Sequence, residues 1–397
     1  MTRVLFHSLT IPPDNVSTGK LVADIANKFS ENGQYIEILA STPQYNFDEN
    51  VINNELIQIK EKKLYSSSYK NVKINHIYSP QRSFNRQTRI FQWLSFHYRS
   101  VRYIIKHRKT FDVLYIFSYP PTMNLVCIFT SRILKIKTIY SLWELYPEIA
   151  QKLKEQPNFL LNKIFKAIDN YALNSVDSVV VNSKELKQYL ITNRKIDRNK
   201  IFSVSHFSPF NKSNHIPNYD LKNIFYAGNV GKPQNLQDFI NFFQQNFPNY
   251  WSIDLYGAGQ ELENVQKLKN INVRFHEYLS REELEISTKD IPFALISLDY
   301  EITMEGFPGK TFDYLNMNKI LINYSNPNSA VSKLIDEHGL GFNIDKNNPN
   351  TLKNFMDALS SEDAIDNVIS NISKFQKNIS NEEIVYKKYM SLISSSS

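Results

Sequence analysis

The fold of this chain is indicated most clearly by the segment Glu305-Gly306-Phe307-Pro308-Gly309-Lys310-Thr311-Phe312-Asp313. The apolar run at 293–298 precedes it and is typical of a buried strand, whereas 311–317 is typical of a helix. Pro308 favours the first turn of a helix, because its missing N–H would have no helical partner there. The segment is therefore predicted to be a strand-to-helix loop in an α/β fold.

The residue types in this loop suit an anionic ligand. Gly306 and Gly309 let a ligand approach the backbone closely, and a helix N-terminus offers unpaired N–H groups. Lys310 adds a full positive charge, and Asp313, about one helical turn further on, can reach a polar group such as a ribose hydroxyl. A helix cap beside a solvated lysine would give the same pattern, so both interpretations stay open for the segment alone.

Length and periodicity predict more than one α/β domain. The chain has 397 residues, which is more than one ordinary hydrophobic core holds. Strand, helix and strand at the observed spacing predict right-handed parallel crossovers in both halves. Residues 48–68 are polar and are expected to form a long loop. Strands are predicted at 4–9, 35–40, 72–78, 113–117, 137–141, 178–181, 200–204, 223–227, 252–256, 273–275, 293–298, 320–323 and 341–344.

We therefore expect an α/β protein of two Rossmann-like domains that face a central cleft. Residues 1–205 form the first domain and 221–375 the second. The polar, proline-containing stretch at 206–220 is predicted to be a linker. Residues 376–397 are predicted to form a C-terminal helix that can pack back on the first domain.

Further candidate site residues follow other predicted strands, because ligands bind at the carboxyl ends of strands in open parallel sheets. Carboxylates there are often caps or surface groups, and glycines there often form plain tight turns, so these alternatives stay open. No Asp-x-Asp pair and no His or Cys cluster has metal-ligand spacing, so no metal site is predicted. The candidates are Thr18, Gly19, Glu144 and Glu148 in the first half and Gly228, Asn229, Lys232, Gly257 and Gly259 in the second.

Composition limits the class of protein. Apolar residues make up 42% of the chain, which is enough for packed interiors. The single cysteine, Cys127, lies in an apolar run, which excludes a disulfide framework and favours a buried, inert thiol. The N-terminus lacks the pattern of a signal peptide, and no apolar run reaches the ~18–20 residues that span a bilayer. We therefore expect a cytoplasmic protein.

The positive charge is concentrated in one segment. Residues 62–111 hold no Asp or Glu, and since the whole chain has a net charge of +7, removing their twelve basic residues leaves −5 elsewhere. Aromatic residues are interleaved with the basic ones along a predicted helix at 87–109, which is typical either of a core helix with a solvated face or of a helix that lies on an anionic membrane. We expect membrane contact through 82–109. Nucleic acid is not expected, because no binding motif accompanies the charge.

Five motifs in order resemble those of bacterial glycosyltransferases of family 4, which have the GT-B fold. The resemblance runs nearly end to end and is closest to the branch that builds O-antigen, capsule and exopolysaccharide. The motifs are Ile11-Pro-Pro-Asp14 with Thr18-Gly19, Ser118-Tyr-Pro-Pro121, Leu145-Tyr-Pro-Glu148, Tyr226-Ala-Gly-Asn-Val-Gly-Lys232 and Phe307-Pro-Gly-Lys-Thr-Phe-Asp-Tyr314.

The resemblance implies a reaction. A family member of this kind is a retaining, metal-independent transferase with no cofactor. It would move a hexose or N-acetylhexosamine from a nucleoside diphosphate sugar, here most simply UDP-linked, to a hydroxyl of a lipid-diphosphate-linked saccharide. The first domain would hold the acceptor and the second the donor. The enzyme would work at the inner face of the plasma membrane in surface polysaccharide synthesis.

The family's Glu-x7-Glu motif is carried over as Glu305 and Asp313, and the change to Asp shortens the second carboxylate by one methylene. Glu305 would then contact the donor sugar and Asp313 the ribose. Asn229 and Gln234 fall near the family's diphosphate-binding Arg and Lys, so Lys232 and Lys310 are proposed in their place. Trp143 stands where members often have His, so no histidine role is carried over.

The resulting assignment has three groups. The acceptor would contact Thr18, Gly19 and Glu148. The catalytic residues would be Glu305, Lys310 and Glu144. The donor would contact Asp313, Gly309, Gly306, Phe307, Lys232, Gly228, Asn229, Gly257 and Gly259.

Two other functions fit the same motifs. One is a UDP-sugar epimerase or hydrolase on the same fold, which would turn over UDP-sugar without an acceptor. The other is a non-catalytic binding subunit, which the altered Glu-x7-Glu motif leaves open and which would bind UDP without turnover.

Overall fold

The computed structural model describes residues 2–14, 16–44, 57–58, 64–80, 83, 85–155, 158–206, 208, 213, 215–268 and 271–394. The chain divides into two compact units. The first unit consists of Met1–Pro147, Asn158–Ser205 and Glu383–Ser397, and the second of Glu148–Pro157 and His206–Glu382. Residues 148–157 and 206–220 thus belong to the second unit, whereas the sequence placed the former in the first domain and the latter in a linker.

The first unit is built on a nine-stranded sheet with the order β3-β4-β5-β2-β1-β6-β7-β8-β9. The pairs from β5 to β9 are parallel, and β3 and β4 add an antiparallel edge. Its central strands are apolar on both faces, as parallel strands covered by helices require. The strands are β1 (Arg3–His7), β2 (Tyr35–Ser41), β3 (Ile57–Gln58), β4 (Leu64–Tyr69), β5 (Val72–Ile77), β6 (Val113–Phe117), β7 (Lys137–Leu142), β8 (Ser178–Val181) and β9 (Ile201–Ser203).

The second unit contains a six-stranded parallel sheet with the order β12-β11-β10-β13-β14-β15. Counted from its own first strand, this is the 3-2-1-4-5-6 order of a doubly wound dinucleotide-binding fold. The direction of winding therefore reverses between β10 and β13, which are paired through Ile224 and Phe293. The strands are β10 (Asn223–Asn229), β11 (Ser252–Ala258), β12 (Val273–His276), β13 (Phe293–Ser297), β14 (Ile320–Tyr324) and β15 (Gly341–Ile344).

Helices connect the strands in both units. A π-helical turn at Phe129–Ile133 and 3-10 turns at Arg198–Lys200 and Lys232–Gln234 complete the described helical segments. The helices are α1 (Ser17–Glu31), α2 (Arg86–His107), α3 (Met123–Ile128), α4 (Glu148–Lys152), α5 (Phe159–Ser175), α6 (Lys184–Thr192), α7 (Leu236–Asn246), α8 (Leu262–Gln266), α9 (Arg281–Ser287), α10 (Lys310–Asn316), α11 (Ala330–His338), α12 (Pro349–Ala358), α13 (Glu362–Asn378) and α14 (Glu382–Ser394).

Strand alternation sorts the helices of the first unit onto two faces. Side chains at successive strand positions point to opposite faces. Leu114 and Ile116 of β6 share a core with α2, α3, α5 and α6. Tyr115, between them, instead lies against Tyr389 of α14, with ring centroids 6.2 Å apart, and α14 also contacts Phe29 of α1. The C-terminal helix therefore packs in the first unit, on the face that carries α1.

Three sequence expectations have structural outcomes here. Cys127 is buried and forms no disulfide, as predicted. Residues 64–69 are not loop but form β4, an edge strand whose Ser-rich sequence has little strand propensity of its own and depends on pairing with β5. Within the described part of the chain, no helix is both long enough and apolar enough to cross a membrane.

Candidate functional site

The predicted strand-to-helix loop is present and lies at the reversal point of the second sheet. β13 ends at Ser297 and α10 begins at Lys310, so the loop carrying Glu305 leaves the carboxyl end of β13. Gly228 and Asn229 are the last two residues of the neighbouring strand β10, so they lie at the same edge. Ligands of doubly wound sheets bind at this point. The sheet thus brings the Glu305 loop and the 228–229 segment, both predicted site elements, to one edge.

Lys310 presents a buried ammonium group at this edge. The side chain is partly exposed as a whole, but its Nζ atom is closed to solvent and has no hydrogen-bond partner among the described residues. Nζ lies 3.7 Å from the centroid of the Tyr226 ring, and a Cβ atom at Gly228 would come within 3.1 Å of it. Burial lowers the pKa of Lys310 to about 7, against the opposing attraction of Asp313. An anion entering here would meet a buried cation whose hydrogen bonds are not used by the described residues.

Glycine is needed where the carboxyl ends of β10 and β11 meet. Gly228 has a φ of +121°, a conformation that side-chain-bearing residues rarely adopt. A Cβ atom on Gly257 would lie 2.3 Å from the carbonyl oxygen of Gly228. Gly257 therefore has a packing role that explains its presence, as does Gly259, whose Cβ atom would lie 2.2 Å from the oxygen of Val230. Their predicted contact with the donor stays a prediction.

Two amides at the start of α10 are already paired. The N–H groups of Thr311 and Phe312 donate to the carbonyl oxygens of Pro308 and Gly309, both at 3.1 Å. The Pro-Gly turn closes the first turn of α10 with i−3 bonds, which use amides that an ordinary helix start would leave unpaired. Thr311 and Phe312 therefore offer no free amide to an anion, whereas Lys310 offers a charged group.

Asn229 and Gln234, which stand near the positions of the family's Arg and Lys, are hydrogen-bonded to each other. Asn229 Nδ2 donates to Gln234 Oε1 at 3.1 Å, and the same oxygen accepts the N–H of Gly231 at 3.1 Å. This neutral pair shapes the turn without adding charge. Lys232, at the start of the 3-10 turn between them, is exposed. Of the two lysines proposed from the sequence, Lys310 is the one with a buried ammonium group.

Glu305 is buried and already bonded. Its Oε2 accepts the N–H groups of Thr303 at 2.9 Å and Met304 at 3.1 Å. Its Oε1 lies 2.8 Å from the Nζ of Lys152, which also donates to Thr303 Oγ1 at 3.0 Å. The carboxylate is thus held in one orientation by the protein. The sequence analysis did not identify Lys152, at the end of α4. Its position four residues after Glu148 is the single local feature that distinguishes it from other lysines.

Asp313 and Tyr314 fasten α10 to its surroundings. Asp313 Oδ1 accepts the hydroxyl of Ser208 at 2.8 Å. The hydroxyl of Tyr314 donates to the carbonyl oxygen of Ala227 at 3.1 Å and accepts the N–H of the same residue at 2.8 Å. These bonds hold the start of α10 against the end of β10. Ser208 and Tyr314 are further residues of this region that the sequence analysis did not assign to the site.

The remaining candidates of the second unit have simple packing neighbours. The ring of Phe307 lies against Phe312, with centroids 5.7 Å apart. A Cβ atom on Gly306 would lie 3.5 Å from Ile149 Cδ1, beside the buried Glu148. Gly309 is open, since no atom lies within 4 Å of the position a Cβ would take. Residues of α4 thus line the Glu305 loop within this unit.

The other candidates lie in the first unit. Thr18 and Gly19 form the first turn of α1, where Thr18 is exposed. Gly19 is buried, and a Cβ atom on it would come within 3.1 Å of the backbone at Thr10 and Ile11. Glu144 is exposed just after β7. Among the residues that the structure describes, no three His, Cys, Asp or Glu side chains are placed to hold a metal ion.

Part of the chain matches a known protein family. Residues 18–207 match the family model described as Glycosyltransferase Family 4. A curated relative, "Probable glycosyltransferase WbjE" of Pseudomonas aeruginosa, is 23% identical over 182 residues, which are 45% of this chain and 44% of the relative. The chain thus aligns with less than half the length of that relative.

Two solved structures are similar over the whole chain. Sucrose-phosphate synthase from Thermosynechococcus elongatus superposes with a TM-score of 0.73 at 12% identity, covering 100% of both chains. Anabaena Alr3699/HepE, in complex with UDP and glucose, gives a TM-score of 0.69 at 11% identity, again covering 100% of both. At such identities the likeness concerns the fold. It shows that the chain has the GT-B fold, and within that fold residues 18–207 match glycosyltransferase family 4.

Proposed function

We propose that this protein is a retaining, metal-independent glycosyltransferase. It moves a hexose or N-acetylhexosamine from a nucleoside diphosphate sugar, UDP-linked, to a lipid-diphosphate-linked saccharide in surface polysaccharide synthesis. The observation that carries the proposal is the buried ammonium of Lys310 at the reversal point of the second sheet, which has no hydrogen-bond partner among the described residues. The complex of HepE with UDP and glucose supports UDP as the nucleotide.

Lys310 would act on the leaving group. When the bond between the anomeric carbon and the diphosphate oxygen breaks, the departing diphosphate gains negative charge. A cation held in a site closed to water stabilises that charge more than a solvated cation does, because no solvent must reorganise. Lys310 thereby takes the place of the family's Arg and Lys, where this chain has Asn229 and Gln234.

Glu305 would position the donor sugar. Its carboxylate is fixed by two backbone N–H groups and by Lys152, so a sugar hydroxyl that donates to Oε1 meets a preset acceptor. The acceptor hydroxyl attacks the anomeric carbon from the face that the diphosphate leaves. Its proton passes to the departing phosphate oxygen, so no side chain becomes a covalent intermediate and configuration is retained.

The acceptor is proposed to dock on the first unit, with membrane contact through α2. The side chains of Phe91 and Tyr98 on this helix are 72% and 64% exposed, and Arg102 lies over the Tyr98 ring at 5.8 Å. This mixture suits the headgroup region of an anionic inner leaflet. Lys62, Lys63 and Arg82 of the basic segment lie outside the described residues.

The affinity for UDP should fall as pH rises above 7. Free Lys310 has a pKa of about 7, and a bound diphosphate raises it, so binding takes up a proton at higher pH. Affinity is then constant below about pH 7 and falls up to tenfold per pH unit until the pKa of the complex is reached. Titration calorimetry between pH 7 and 9.5 measures this, and a pH-independent Kd would contradict it. Lys310→Met should remove the slope.

Transfer should persist in excess EDTA and depend on the nucleotide. A thermal-shift screen of UDP-, GDP- and dTDP-sugars should show the largest stabilisation with a UDP-sugar, because a ligand that binds only the folded state raises its Tm. Loss of transfer on chelation, restored by a divalent ion, would contradict metal independence. Rapid turnover of UDP-sugar without acceptor would favour a hydrolase or epimerase. UDP binding without any turnover would favour a non-catalytic binding subunit.

A further inference from the structure

Helix α5 (Phe159–Ser175) leaves large apolar side chains in solvent. Phe159 and Leu160 are 69% and 67% exposed, and Ile164, Phe165 and Tyr171 are 47%, 45% and 53% exposed. On its other side the helix is anchored in the core of the first unit by Ala172 and Leu173. Neighbouring exposed apolar side chains mark an interaction surface, so this outer face needs a partner.

The charge on this helix has one sign. Its carboxylate, Asp169, is buried and lies 3.3 Å from the buried guanidinium of Arg194, so it adds no negative charge to the outer face. The exposed and half-buried charges of α5 are Lys163 and Lys166. Lys163 Nζ lies 4.5 Å from the ring centroid of Phe159, so cation and apolar surface alternate within one turn.

The helices beside α5 share this character. α2, α3 and α5 cover the same face of the nine-stranded sheet, because their buried side chains belong to one core. The sequences of α2, α3 and the turn Phe129–Ile133 contain no Asp or Glu. Ile133 of this turn is 64% exposed, and Arg132 lies over the Tyr171 ring of α5 at 5.8 Å. The helical layer therefore presents apolar and basic side chains together.

Charge decides what covers this face. A second copy of the chain would bring lysines and arginines against lysines and arginines, which costs free energy unless each finds a carboxylate. An anionic bilayer instead supplies phosphate groups for the lysines and an acyl boundary for the phenylalanine and leucine side chains. Leu160, Ile164 and Tyr171 follow the spacing of one helix face, so they can enter a flat surface together.

We propose that α5 is a second membrane-contacting helix, which inserts Leu160, Ile164 and Tyr171, together with Phe159 at the start of the helix, into the headgroup-acyl boundary of an anionic bilayer. Lys163 and Lys166 contact lipid phosphates. The proposal rests on the proposed membrane-linked function and adds an element that lies outside residues 82–109. It assigns apolar insertion to α5 and leaves to α2 the larger basic charge.

Vesicle binding tests this assignment. The full chain is mixed with vesicles of phosphatidylcholine alone or with about 30% phosphatidylglycerol, and the bound fraction is measured by flotation. We expect binding to the anionic vesicles, and a fall of at least tenfold in the partition coefficient for the double variant Phe159→Ser/Leu160→Ser. The control is Ile216→Ser/Ile286→Ser in the second unit, whose side chains are 71% and 75% exposed and which should bind like the wild type.

Other outcomes overturn the proposal. The α5 variant could bind vesicles as well as the wild type while the α2 variant Phe91→Ser/Tyr98→Ser binds them more weakly. That result would assign the membrane contact to α2 alone. A concentration-dependent dimer in light scattering that the α5 variant abolishes would make this face a protein interface. Calorimetric titration with UDP on the same variants separates the two proposals. The α5 variant should keep the wild-type Kd, whereas failure of wild-type UDP binding would count against the glycosyltransferase function and not against membrane contact.

Discussion

Replacing Lys310 with methionine is expected to stabilise the protein and to lower sugar transfer at least a hundredfold. Methionine matches the length of the lysine stem but carries no charge. Removing one preorganised electrostatic group from a site where charge develops typically costs a factor of about 10²–10³ in rate. The effect should fall on kcat and on UDP affinity, since in the proposed mechanism the ammonium contacts the diphosphate before and after it leaves.

The gain in stability has a separate physical cause. A lysine whose pKa is lowered in the fold opposes folding wherever the unfolded chain binds the proton, which is the case at pH 7. Removing that charge should stabilise the fold by roughly 2–4 kcal/mol, and the gain should shrink as pH rises toward 10. Denaturant unfolding at pH 7 and pH 9.5 measures it.

A matched control separates charge from position. Lys267, on the surface of the second unit, is exposed, and Lys267→Met should leave both transfer and stability near wild type. A folded Lys310→Met variant with wild-type transfer would refute the role of the ammonium. A variant that is both inactive and less stable would show that the lysine supports the fold instead.

The second large effect is expected at the Glu305–Lys152 pair. Glu305→Gln should lower kcat by about a hundredfold or more, because the amide no longer offers the fixed anionic oxygen that orients the sugar. It also leaves Lys152 beside a neutral group. Lys152→Met should cost about 1–3 kcal/mol of stability, less than for a fully buried pair because the Lys152 side chain is 30% exposed.

A double-mutant cycle isolates the pair. The cycle compares the free energy of unfolding of the two single variants and of the double variant. If the two side chains act together, the loss of stability in the Glu305→Gln/Lys152→Met protein should be smaller than the sum of the single losses by at least 0.5–1 kcal/mol. Lys154→Met in the same segment serves as the control, since its side chain has no part in the Glu305 contacts. Simple additivity of the two losses would argue against a functional pair.

Local pattern predicted the part of the site that lies in one stretch of chain. The apolar run at 293–298, the Pro-Gly turn and the following helix are contiguous in sequence, so periodicity and turn residues were sufficient to place Lys310 at the start of a helix. The α/β order of both units followed from the same kind of signal. The doubly wound topology then explains why the β10 and β13 loops share an edge.

What the sequence could not predict depends on long-range pairing. Lys152 reaches Glu305 across 153 positions in the chain, and no local pattern marks it. The use of the Thr311 and Phe312 amides inside their own turn depends on backbone geometry that the residue types do not fix. The strand β4 was also not predictable from local sequence, because its strand conformation comes from its pairing with β5.

The most direct test of the account is a crystal structure with UDP bound. The account predicts Lys310 Nζ within about 2.7–3.0 Å of a diphosphate oxygen, the distance of a charge-assisted hydrogen bond, with the nucleotide at the carboxyl ends of β10 and β13. UDP bound elsewhere, or bound at this edge with Nζ still directed only at the Tyr226 ring, would contradict it.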